Sequence, residues 1–198
     1  IAPFVDFVDF PAASEAERGA LGSSGLRVLA PFGEAEPGPE LLVMQGASYF
    51  RALAPGLVYG LSARALAVDG LAGAQGGDEE FPRFTDLWVS RPEPGDTSLT
   101  IAALIDGPSL AGAYEMAIRP GPDATVMDVR AVLHARRVLD DVGLAPLSSM
   151  YLQGAADRGG RDDFRDGLRD SDGAAVETAA GERIWRPLHN PPYTITSA

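Results

Sequence analysis

Residues 98–118 read SLTIAALIDGPSLAGAYEMAI: a strand-like run from Ser98 to Asp106, a Gly107-Pro108 breaker, and a second strand-like run from Gly112 to Ile118. Two short apolar runs separated by turn residues are the mark of adjacent β-strands. The same rhythm continues outward. Phe84 to Ser90 precedes, closed by Arg91-Pro92-Glu93-Pro94-Gly95, and Thr125 to Arg137 follows. The last segment has a helix-compatible composition, yet Val126, Val129, Val132 and Val138 are β-branched and it sits among strands, so it reads as strand. Short strands at regular spacing point to a sandwich or barrel.

Towards the N-terminus, Leu26 to Ala30 and Glu40 to Met44 read as strands on either side of the turn-rich stretch from Gly33 to Pro39. Leu57 to Val68 alternates well enough for one long strand or a bent pair, with Gly60 as a bulge. Ala12 to Ala20 reads as a short helix closed by Gly19 and Gly22. Towards the C-terminus, Asp157 to Asp172 is polar, Gly-interrupted and dense in both signs of charge, which predicts a long surface loop. Ile184 to Leu188 returns to apolar character, and Asn190-Pro191-Pro192 predicts a turn before a final strand. No internal repeat is visible.

The composition agrees with a β-rich fold. The 198 residues include 23 Gly and 16 Pro, which favours many turns over long helices, and the length suits one domain with a real core. A net charge of −12 repels phosphate backbones and anionic lipid heads, so nucleic acid and membrane surfaces are poor partners. With no cysteine, disulfides, Cys-ligated metals and thiol catalysis are excluded. Only His134 and His189 are present, which disfavours a His-rich metal site. Calcium fares no better. With Gly173 at the sixth position of an EF-hand loop, Leu168 and Ala179 fall where two essential ligands belong. No metal or cofactor is expected. No G-x-S-x-G elbow or phosphate-binding glycine loop is present, and no apolar run spans a bilayer. The chain begins at Ile1 without Met and ends at Thr196-Ser197-Ala198 in what reads as the start of a strand, so both ends are expected to be cut and a signal peptide to lie outside it.

Asp170 and Asp172 stand at the end of the charged loop. Paired carboxylates near aromatic and arginine side chains equip a site for polysaccharide hydrolysis, one acid protonating the leaving oxygen and one base activating water. In an extended segment the i,i+2 spacing puts both on one face. Trp185 or Tyr49 supplies a stacking surface for a sugar ring, while the plainer role of Trp185 is a core tryptophan. Arg186 points to the opposite face as a ligand or as half of a surface salt bridge.

Seven colinear blocks carry a family resemblance: Gly46-Ala47-Ser48-Tyr49-Phe50-Arg51, Val58 to Asp69, Glu79-Glu80-Phe81-Pro82-Arg83-Phe84, Leu99 to Asp106, Ala145 to Tyr151, Asp170-Ser171-Asp172-Gly173, and Ile184 to Pro191. Together they resemble the periplasmic glucan biosynthesis G/D proteins; Gly25-Leu26-Arg27-Val28-Leu29 resembles them more weakly. The resemblance implies an exported, periplasmic protein with a large antiparallel β-sandwich of the mutarotase-like supersandwich type, followed by a smaller immunoglobulin-like domain. Residues 1–198 would then be part of the sandwich, incomplete at both ends, with the second domain absent. It also implies inverting endo-hydrolysis of β-1,2-glucan, or a role in shaping osmoregulated periplasmic glucans. Asp170 holds the position of the aspartate that relays a proton from water. The general acid and a relay tyrosine would lie beyond the point matching Ala198, leaving this chain alone inactive. Tyr49, Arg51, Arg64, Glu80, Arg83, Asp172, Trp185 and Arg186 are the candidates for glucan contact or site support. Leu152-Gln153-Gly154 and Arg169 depart from the family's usual aromatic-glycine pair and histidine, which bears on substrate specificity. The rival functions are a non-catalytic glucan-binding or scaffold protein assisting a membrane glucan synthase, and an interaction sandwich of unrelated purpose.

Overall fold

A computed structural model of the chain describes residues 25–32, 38–70, 78–148, 150–158, 160 and 162–190. The predicted helix at Ala12 to Ala20 and the strand after Asn190-Pro191-Pro192 lie outside these residues. Within them the regular structure is antiparallel β. The strands are β1 (Gly25–Leu29), β2 (Glu40–Gln45), β3 (Tyr49–Ala52), β4 (Ser62–Arg64), β5 (Leu66–Val68), β6 (Arg83–Val89), β7 (Leu99–Asp106), β8 (Leu110–Pro120), β9 (Thr125–Ala135), β10 (Val142–Leu144), β11 (Leu147–Ser148), β12 (Tyr151–Gln153), β13 (Leu168–Arg169), β14 (Gly173–Glu177) and β15 (Arg183–Pro187).

The expected run from residue 83 to 137 forms a four-stranded meander, β6-β7-β8-β9. In β7, Leu99, Ile101, Ala103 and Ile105 are buried while their neighbours are less so, the period-2 pattern of a sheet with one face on a core. Opposite it stands a five-stranded sheet, β1-β2-β3-β4-β11. Val28, Leu42, Met44 and Phe50 from this sheet join Leu66 and Val68 of β5 and the inner face of the meander in one buried cluster. Two antiparallel sheets closing on a shared apolar layer make a β-sandwich. Three two-stranded ribbons complete the fold: β10-β5, β12-β13 and β14-β15.

Of the two readings of Leu57 to Val68, one long strand or a bent pair, the bent pair is the nearer, but it is confined to residues 62–68 and bends at Ala65 instead of Gly60. Leu57 and Val58 are exposed, Gly60 lies outside any strand, and pairing begins only at Ser62. The reason is a change of partners at Ala65. Its N–H donates to Ser48 O (2.9 Å), and its carbonyl accepts from Ala145 N (3.3 Å) and the Tyr114 hydroxyl (3.0 Å). On one side of this break β4 pairs with β3 and β11; on the other, β5 pairs with β10. The chain thus leaves one sheet for another, satisfying its backbone groups twice over.

Candidate functional site

The two faces of the five-stranded sheet follow from its register. Met44 pairs with Phe50, and Phe50 with Ala63, all against the core. The alternate residues Gln45, Tyr49, Arg51, Ser62 and Arg64 therefore belong to the opposite face. Tyr49 pairs with Arg64, and Ser62 with Ser148 of β11. Between β2 and β3 the chain turns through Gly46 (φ 72°) and Ala47 (φ 38°), and Tyr49 N–H donates to Gly46 O at 3.0 Å. A left-handed alanine persists only where its surroundings hold it. Here Ala47 O accepts from Phe84 N (3.0 Å) and Ser48 O from Ala65 N, so the meander and β4–β5 both fix the turn that aims Tyr49.

On this outer face lies a groove of about 310 Å³ lined by Gln45, Tyr49, Arg51, Ser62, Ser148, Met150 and Asp170. Asp170 follows β13, and its attachment is two-way. Its N–H donates to Met150 O (2.8 Å), and its Oδ2 accepts from Met150 N (2.8 Å). These bonds prolong the β12–β13 ladder and set the direction of the carboxylate. Among the described residues, Asp170 is the one acidic side chain lining the groove.

Behind the lining stand two supports. The Arg51 guanidinium lies 5.9 Å from the Tyr59 ring centroid, and the Tyr59 hydroxyl donates to Glu40 Oε1 at 2.6 Å. Burial and the bond to Glu40 push that hydroxyl well above the usual tyrosine range, so it remains a donor. Glu40 also pairs with Arg27 at 3.0 Å. The second support is Arg64, whose side chain is 5% exposed. It forms an ion pair with Glu79 and donates to Glu80 O at 2.7 Å. Its guanidinium lies 4.2 Å from the Phe81 ring centroid and 6.0 Å from that of Tyr49. Glu80 reaches across to the meander, accepting from Ser109 N at 3.1 Å.

Of the nine residues nominated from sequence, Asp170, Tyr49 and Arg51 meet in the groove, with Arg64 and Glu80 beside or behind it. Arg83, Asp172, Trp185 and Arg186 are not among its lining residues. Asp170 and Asp172 do not share a face: the segment bends instead of extending, and Asp172 is drawn into an ion pair with Arg169. Arg83 is exposed on β6 opposite Asp106. Trp185 is 58% exposed on β15, which corrects its reading as a core residue; on the two-stranded β14–β15 ribbon it pairs with Ala175, and its ring lies close to Gly173. Arg186 lies opposite Ala174 on the same ribbon. Gln45, Ser62, Ser148, Met150 and the supporting Tyr59 were not nominated. Ser148 and Met150 do fall in the Ala145 to Tyr151 block, and Tyr59 and Ser62 in the Val58 to Asp69 block.

Residues 6–198 match the family described as periplasmic glucan biosynthesis protein, MdoG. The chain belongs to this family. Relatives named glucans biosynthesis protein G include those of Pseudomonas putida, 44% identical over 97% of this chain, and Pseudomonas paraeruginosa, 46% identical over 89%. That of Rhodopseudomonas palustris is 47% identical over 86%. The matches cover 34%, 33% and 33% of those proteins, so the chain spans about a third of the length of the curated relatives it matches. Within the periplasmic glucan biosynthesis family, then, this stretch supplies a β-sandwich whose outer face carries a carboxylate-bearing groove. No helix among the described residues is long and apolar enough to cross a membrane.

Proposed function

We propose that the groove binds a β-1,2-linked glucan in the periplasm, and that in the full-length protein Asp170 accepts the proton from the attacking water during inverting hydrolysis. The observation that carries this reading is the clamped Asp170 carboxylate in a groove otherwise lined by neutral hydrogen-bonding groups, Arg51 and the Tyr49 ring. A neutral sugar chain meets donors, acceptors and a ring face there without needing a counter-charge, in keeping with the family and with relatives named for glucan biosynthesis. Inversion requires an acid on the leaving oxygen and a base on the far side, about 6.5–9.5 Å apart, with water between. In this reading Asp170 is the base, the acid comes from elsewhere in the full-length protein, and residues 1–198 are part of a sandwich domain preceding an immunoglobulin-like one.

The presence of one carboxylate among the described lining residues also favours a second reading, a non-catalytic glucan-binding or scaffold protein serving a membrane glucan synthase. One experiment separates the two. Reducing-end release and glucan binding are measured together on the full-length protein and its Asp170→Asn and Asp172→Asn variants. Asp170→Asn keeps size and hydrogen-bonding shape but removes the base, so turnover should fall about 10²- to 10⁴-fold with binding retained. Asp172→Asn, which alters the carboxylate paired with Arg169, should lose little of either. Unchanged turnover in Asp170→Asn removes that residue from the chemistry. Parallel loss of binding and turnover makes it a positioning residue, and glucan binding without any release in the unaltered protein selects the scaffold role.

A further inference from the structure

Phe81 is 50% exposed, yet the segment that carries it is firmly held. Glu80 bridges to Val68, with Glu80 N donating to Val68 O at 3.0 Å. Pro82 is fully buried, and Phe84 N bonds Ala47 O. The Phe81 ring rests on the guanidinium of Arg64, 4.2 Å from the centroid, and that cation is itself almost wholly buried. Glu79 and the Glu80 carbonyl fix it in place. Half of Phe81 stays open to water on a firmly held segment, so it can meet a partner without disturbing the core. The same guanidinium has the Tyr49 ring at 6.0 Å, and Tyr49 lines the groove. Two rings therefore flank one anchored cation on the outer face of the sheet, the first inside the groove and the second beyond its lining.

We propose that Phe81 is a second sugar-stacking surface, which takes a glucose ring of the chain where it runs out of the groove past Tyr49. A pyranose presents a face of C–H groups that an aromatic ring covers well. Arg64 then acts as a positioning residue that holds the two stacking rings in a constant relation. The inference rests on the groove being a glucan site.

The test is isothermal titration calorimetry with two linear β-1,2-gluco-oligosaccharides, a trisaccharide and a longer one, on the full chain and its Phe81→Leu, Phe81→Trp and Tyr49→Ala variants. Leucine keeps an apolar contact with Arg64 but loses the flat ring. Expected are a loss of about 5- to 10-fold for the long ligand with Phe81→Leu, an unchanged trisaccharide affinity, and recovery with Phe81→Trp; Tyr49→Ala should weaken both ligands. If Phe81→Leu binds the long ligand as the unaltered chain does while Tyr49→Ala weakens both, Phe81 is no subsite and the groove reading stands. If Phe81→Leu lowers the unfolding temperature and weakens both ligands equally, Phe81 is structural and the proposal is overturned. An unaltered chain that binds neither oligosaccharide removes the groove reading and Phe81 with it.

Discussion

Replacing Tyr114 by Phe should destabilise the chain by about 1 kcal/mol, the net worth of one neutral hydrogen bond. The hydroxyl of this buried residue donates to Ala65 O at 3.0 Å, joining the meander to the point where the chain leaves one sheet for another. Two features keep the cost from rising to that of an orphaned carbonyl. Ala65 O also accepts from Ala145 N at 3.3 Å, so it keeps a donor after the substitution. The ring, edge-on to Phe84 with centroids 5.7 Å apart and planes at 80°, is retained in Phe. Tyr114→Ala also removes the ring and should cost about 3–5 kcal/mol. Urea denaturation measures both, and for a chain of this size Tyr114→Phe should lower Tm by about 2–4 °C. Burial raises the Tyr114 hydroxyl above its ordinary value of 10.0. This contribution is therefore complete below pH 10 and lost as pH rises above it, when the unfolded chain ionises first. Tyr114→Phe should remove that share of the alkaline sensitivity. A loss above about 3 kcal/mol would mean that Ala145 gives the carbonyl no second donor. No loss at all would mean that the tie to Ala65 contributes nothing.

Two further outcomes are expected. Asp163, gripped by the Arg165 guanidinium and its N–H, is held at about 2 against an ordinary 3.8; the loop geometry it fixes should persist above pH 3.8 and be lost as pH falls through about 2, and a carboxyl NMR titration with a midpoint near 3.8 would contradict the grip. For Arg51, Tyr59→Phe keeps the ring and should leave glucan affinity nearly intact, whereas Tyr59→Ala should weaken it about 2- to 5-fold; equal affinities for all three proteins would show that the ring does not position Arg51.

The meander was legible because its signals are local. Each strand from Phe84 to Ala135 pairs with its neighbour in sequence, so short strand-like runs and the breakers at residues 91–95 and 107–108 suffice to place them. The strand at Thr125 was legible, despite its helix-like composition, from its β-branched valines and its place among strands. What escaped depends on distant partners. β3 is four residues with a polar Arg51 in it and exists because Gly46 and Ala47 fold it back on β2. The break at Ala65 is dictated by Ser48, Ala145 and Tyr114, none of them near in sequence. In the site, Asp170, Tyr49 and Arg51 were nominated from residue type and motif position. Ser148 and Met150 became lining residues only through the pairing of β11 with β4 and the clamp on Asp170, which no spacing reveals.

The pairing of β11 with β4 has a kinetic consequence. Leu147 pairs with Ala63 and Ser148 with Ser62, and Arg64 N donates to Pro146 O at 3.0 Å, across a long stretch of intervening chain, while the meander zips through adjacent hairpins. Closing a long loop has its entropic cost before any contact repays it, so the meander is the early platform and β11 arrives late. A short ladder whose β11 residues are both exposed is also easily undone. Ser148 stands on that ladder and Ser62 faces it, so this wall of the groove closes after the meander and opens before it. Amides of β11 should accordingly exchange with solvent well ahead of those in β8.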